Sequence, residues 1–79
     1  MSNIKIIGAI FGAKGESGKA LDVTDKIQEK IDEGHTRIQI RIEDLGDPYK
    51  GQTKAFGAIY EKDGKVHAVA GKEKETIAF

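Results

Sequence analysis

The chain has 79 residues, 13 basic and 13 acidic, with no cysteine and a formal net charge of zero at pH 7. That length gives one domain, residues 1–79, with a thin core: size scaling buries roughly 62% of the unfolded surface, and such a core contributes about 3–5 kcal/mol. The composition excludes a disulfide framework and a thiol nucleophile, and the lack of a basic stripe argues against nucleic acid and anionic membrane as partners.

Residues 4–11 are β-branched and apolar at nearly every position, which predicts a central strand covered on both faces. The apolar run Ile6 to Ala13, broken by Gly8 and Gly12, is too short to span a bilayer. The N-terminus has no signal-peptide layout, and the missing cysteines fit a reducing compartment, so a cytoplasmic protein is expected. Gly12 to Lys19 is glycine-rich and polar and reads as an exposed loop. From Asp22 the pattern changes. Val23, Ile27 and Ile31 recur at steps of four and predict a helix of about three turns, capped by Asp22 or Thr24 and stopped by Gly34.

Residues 36–43 alternate Ile38, Ile40 and Ile42 with Arg37, Gln39, Arg41 and Glu43, the clearest strand of the sequence. Asp44 to Gln52 is a turn-rich loop around Pro48. Residues 53–61 and 65–71 read as strands joined by Asp63-Gly64, a type I′ hairpin pair, and residues 75–79 as a short last strand with Ile77 and Phe79 on one face. The expected fold is mainly β: a small antiparallel β-sandwich-like domain of about five strands with one short helix. The alternative is α+β, with the helix packed on an antiparallel sheet.

Four patterns invite a chemical reading. Ala13 to Ala20 contains Gly18-Lys19 after a strand, like a phosphate loop, but Ala13 and Ala20 stand where that motif needs glycine and serine or threonine. Glu43, Asp44 and Asp47 lack the order of a calcium loop. His35 and His67, the two histidines, are too few for zinc without cysteine, and neither they nor Ser17 belongs to a nucleophile motif. No catalytic residue, cofactor or metal is therefore expected. Tyr49 differs: beside Asp47 and Gln52 in a loop, it offers a ring on which a sugar or a partner side chain could stack. The stripe Arg37, Gln39 and Arg41 would present an ordered polar display for a protein partner.

Several short segments also match a family pattern in order. Ala9-Ile-Phe-Gly12 stands for A-x-Y-G, and Asp22-Val-Thr24 for D-V-T followed by Ile27 and Ile31. Gly46-Asp-Pro48 with Gly51 and Lys54 stands for D-P-x-x-G-x-x-K, Ile59-Tyr60 for V-x-Y, and Gly64-Lys-Val-His67 for a hairpin and strand. Over residues 4–79 the chain resembles the C-terminal domain of unknown function of a mitochondrial DnaJ homologue of subfamily C, also met in bacterial and fungal proteins. The resemblance implies a non-catalytic interaction module. With no His-Pro-Asp tripeptide there is no J domain, and Phe11 replaces the family's tyrosine and its hydroxyl. The D-V-T segment is also similar to sugar-binding β-sandwich domains of glycosidases. The expectation is a non-enzymatic binding module for another protein, the alternative a carbohydrate-binding module. No nucleic acid and no membrane span are expected, and a homo-oligomer would protect exposed strand edges.

Overall fold

The computed structural model describes residues 3–13, 15 and 18–79. Its main element is a four-stranded antiparallel sheet in the order β2–β1–β4–β5, with β1 spanning Ile4–Ala13, β2 Ala20–Asp22, β4 Lys54–Lys62 and β5 Lys65–Lys72. A second, two-stranded sheet pairs β3 (Arg37–Gln39) with β6 (Thr76–Ala78). Helix α1 (Thr24–Asp32) and a single turn, α2 (Ile42–Leu45), complete a mainly β domain.

The domain has two layers. One face of the large sheet contributes Ile4, Ile6, Ala9, Phe11, Phe56, Ala58 and Tyr60 to the core. The facing layer contributes Val23, Ile27 and Ile31 from around α1, Leu45 from α2, and Ile38, Ile40, Ile77 and Phe79 from around the small sheet. Phe79 closes the far end, with its ring edge-on to Tyr60 at 5.1 Å and to Phe56 at 6.5 Å. Gly71 on β5 makes room for the small sheet, since a Cβ there would lie 2.6 Å from Ile77 Cδ1.

The hairpin joining β4 to β5 forms as its sequence predicts. Asp63 and Gly64 both take positive φ, 54° and 80°, and the register runs from Lys62–Lys65 to Ala55–Lys72. The helix stops where Gly34 adopts φ 100°, and the His35 N–H donates to the Lys30 carbonyl at 3.0 Å. Its start is one element later than expected. Asp22 belongs to β2, a strand the sequence reading missed, and Val23 holds the cap position without a side-chain cap.

Two further expectations are corrected. The strand read over residues 36–43 ends at Gln39. Its partner β6 is only three residues long, so the alternation loses its ladder beyond Ile40. The chain then turns into α2, where the Asp44 and Leu45 amides donate to the Arg41 carbonyl, and Ile42 is only half-buried. The second correction concerns β1. It is central, but only one of its faces is covered: Ile7 and Ile10 point to solvent.

Helix α1 also guards a sheet edge. Since β2 pairs only with Ile10–Gly12, the first half of β1 would expose its backbone on that side. Gln28 lies along it: the Ile6 N–H donates to Gln28 Oε1 at 2.7 Å, and Gln28 Nε2 donates to the Ile4 carbonyl at 3.1 Å. The Ala9 N–H donates to Thr24 Oγ1 at 3.0 Å, and the Ala9 carbonyl accepts from the Val23 N–H at 2.8 Å. The helix thus stands in for a neighbouring strand.

Candidate functional site

Side chains alternate across a strand, so the face of the large sheet opposite the core is defined by register. On β1 it carries Lys5, Ile10 and Gly12, with Ile7 and Gly8 at a bulge between Ile6 and Gly8. On β4 it carries Ala55, Gly57, Ile59 and Glu61, and on β5 Val66, Ala68, Ala70 and Lys72. Ala20 and Asp22 of β2 extend it. Ile7 is 53% exposed, Ile10 50%, Ile59 50% and Val66 67%. Between them lie glycines and alanines, leaving a shallow apolar trough bordered by Ile10, Gly12, Ala20, Ala55 and Gly57. Scattered apolar side chains are ordinary on a surface. Four of them share this one small-residue face.

The sequence reading missed this surface because its apolar residues seemed destined for a second covering layer. The signal was present: apolar residues at both phases of β1, and Ile59 and Val66 out of phase with the core residues of their strands.

The polar residues singled out from the sequence lie in the other layer. Arg37 and Gln39 point outward from β3, and Arg41 sits at the start of α2. The Gln39 amide donates to the Lys74 carbonyl at 3.1 Å, and Arg41 pairs with Glu43 at 3.5 Å, both exposed. Asp47, Tyr49 and Gln52 share the loop before β4. The Tyr49 N–H donates to Asp47 Oδ1 at 3.2 Å, and the Lys19 ammonium stands over the half-buried Tyr49 ring, 5.3 Å from its centroid. That leaves the ring less open than a free sugar platform. Asp47 and Gln52 line one depression, Gln39 and Arg41 the next, and the two meet at Ile42, Glu73 and Lys74. Arg37 and Tyr49 border neither of these two.

Beneath this end lies Lys54, a buried charge that the sequence did not announce. Its ammonium is 2.7 Å from Asp47 Oδ1 and 3.9 Å from Glu73 Oε1, and its N–H donates to Glu73 Oε1 at 3.3 Å. The Lys54 hydrogen bond holds the Asp47 carboxyl below its ordinary value of 3.8, with the Tyr49 N–H adding to the effect. The Asp22 carboxyl is likewise lowered, by the Thr24 hydroxyl and then the Thr24 amide. Glu43 is lowered by its own backbone N–H, with the Arg41 charge assisting. Among the described residues no buried side-chain polar atom lacks a hydrogen-bond partner, so the Lys54 cluster is a closed structural joint.

Strands β1 and β2 form a hairpin in which the Ala13 N–H donates to the Lys19 carbonyl at 2.8 Å, and β2 stands between Lys19 and the start of α1 at Thr24. The loop reading of Lys14, Glu16 and Ser17 falls outside the described residues. His35 is exposed, and His67 stacks on Tyr60 with ring centroids 5.2 Å apart. Among the described residues no three histidine, aspartate or glutamate side chains are grouped as a metal ion needs, and no helix is long and apolar enough to cross a membrane.

Fold and surface together define a small, mainly β domain with one sheet face packed and the other open. No family model, no curated protein and no solved structure matches the chain.

Proposed function

We propose that this chain is a non-enzymatic protein-interaction module of the cytoplasm that binds through the open face of its large sheet. One observation carries this reading: Ile7, Ile10, Ile59 and Val66, each at least half exposed, share one face with glycines and alanines. Fully burying one such side chain stabilises by about 1.5–3 kcal/mol, so leaving four of them half wet forgoes several kcal/mol that an occupant would recover. A protein occupant suits the flat apolar field better than a sugar does, because the candidate stacking ring, Tyr49, is half-buried beneath Lys19.

The test is affinity capture from cells with tagged wild type, Ile10→Lys, Ile59→Lys and the Arg37→Ala/Arg41→Ala double variant. A partner kept by wild type and the arginine variant but lost from both isoleucine variants supports the open face. A partner lost only from the arginine variant moves the site to the polar stripe. If wild type retains nothing that the isoleucine variants lose, the open-face reading fails.

A further inference from the structure

Resting on that reading, we propose that the occupant of the open face is a second copy of this chain, stacked sheet to sheet about a two-fold axis running along the strands between β1 and β4. Rotation about that axis sets β1 of one copy over β4 of the other and keeps each row of the ladder in place. Each residue then faces the copy of its own cross-strand neighbour, and the register predicts every contact.

The rows are complementary in size and in charge. Ile10 lies opposite Gly57 of the second copy, a knob over a gap, and the contact repeats by symmetry. Ile59 lies opposite Gly8 and the bulged Ile7, and Ala55 opposite Gly12. At one end Lys5 meets Glu61 of the second copy twice over. At the other, β5 lies over β2, and Lys72 comes one row from Asp22. No like charges face each other. The competing two-fold, across the strands, sets β1 on β1 with rows reversed and buries Lys5 on Gly12 and Glu61 on Ala55. There each charge faces a glycine or alanine of the second copy and keeps only its own cross-strand neighbour, so no ion pair forms between copies.

Area sets the expected strength. With strands about 4.8 Å apart and about 3.3 Å per residue, β1 and β4 overlapping along their length and β5 meeting only the short β2 give on the order of 400 Å² per copy. The total, about 800 Å², lies below the size of a stable specific interface and implies a weak, concentration-dependent dimer. The chain's zero net charge adds no repulsion between copies.

Sedimentation of the purified protein from low micromolar to near-millimolar concentration tests this, alongside four variants. Wild type is expected to pass from monomer to dimer. Gly57→Val is the sharpest variant. A Cβ there meets nothing closer than 3.9 Å within the chain, so the monomer accepts it, whereas in the dimer it fills the gap that receives Ile10. It makes the face more apolar, so unspecific association would rise, but the registered dimer is expected to weaken at least about tenfold. Lys5→Glu and Glu61→Lys, each alone, set like charges against each other and weaken association. An equimolar mixture of the two restores it, because both contacts between unlike chains are then opposite in charge, while each chain keeps its internal like-charge pair. Ile10→Lys gives monomer at every concentration with its melting temperature, measured dilute, within about 2 °C of wild type.

A dimer indifferent to Gly57→Val, or a mixture that fails to restore association, overturns the proposed stacking. A wild type that stays monomeric throughout overturns the second copy as occupant. Face-dependent capture of a different protein would then leave the interaction reading standing, and its absence would remove both.

Discussion

Asp47 is where this molecule should feel acid. Its carboxyl is held below 3.8 by Lys54, so its contribution to stability is present above that value and is lost below it, as pH falls through the lowered folded-state pKa. Asp22 and Glu43 act in the same direction. Thermal melts between pH 7 and pH 3 should show Asp47→Asn lowering the melting temperature at neutral pH and flattening the acid limb. Lys54→Met should flatten it as well, yet cost less at pH 7, because the Asp47 and Glu73 side chains keep some exposure while the ammonium left by Asp47→Asn has almost none. Two glycines of β1 give a second contrast. A Cβ at Gly12 would stand 2.5 Å from Ala20 Cβ and 2.7 Å from the Lys19 carbonyl, so Gly12→Ala is expected to lose about 1–3 kcal/mol in denaturant unfolding. Gly8 has nothing within 4 Å, and Gly8→Ala should change stability by less than about 0.5 kcal/mol in the monomer. Residue chemistry of this kind was partly legible. The Asp63-Gly64 turn and the Gly34 stop follow from backbone sterics alone, which any sequence states openly. The Lys54 joint was not legible, because its carboxylates arrive from positions seven and nineteen residues away.

Among the elements, α1 performs two tasks and its sequence advertises one. Val23, Ile27 and Ile31, at steps of four, predict the buried stripe, and all three are buried. Gln28, on the adjoining flank, looks like an ordinary surface residue and instead bonds the exposed backbone of β1. Gln28→Ala is expected to cost about 1–2 kcal/mol and to speed hydrogen exchange at Ile6, with little change at residues of β5. β3 shows the opposite failure. Its strong alternation over 36–43 suggests eight strand residues, but alternation describes a face, and a strand also needs a partner of equal length. The three residues of β6 decide where the strand stops. β2 escaped notice because three residues carry no periodicity.

Taken whole, the molecule has one core face and no reserve. Phe11→Ala, at the centre of that face and fully buried, is expected to cost about 3–5 kcal/mol, comparable to the entire stability of a domain this size, and loss of the far-ultraviolet and one-dimensional NMR signatures of folding would report it. Substitutions on the opposite face should leave folding intact and change association alone, the contrast between Ile10→Lys and Phe11→Ala one position apart. Composition, periodicity and turn chemistry determined by themselves a mainly β fold, its hairpin, its helix stripe and the inward Ile38, Ile40, Ile77 and Phe79, because these depend on local sterics and on which residues avoid water. Only the tertiary structure decided that β1 is covered on one side. A strand's sequence says that two faces are apolar, but not which of them the helix and the second sheet will cover. Here the helix and the small sheet were both spent on the same side, and Ile7, Ile10, Ile59 and Val66 were left facing out.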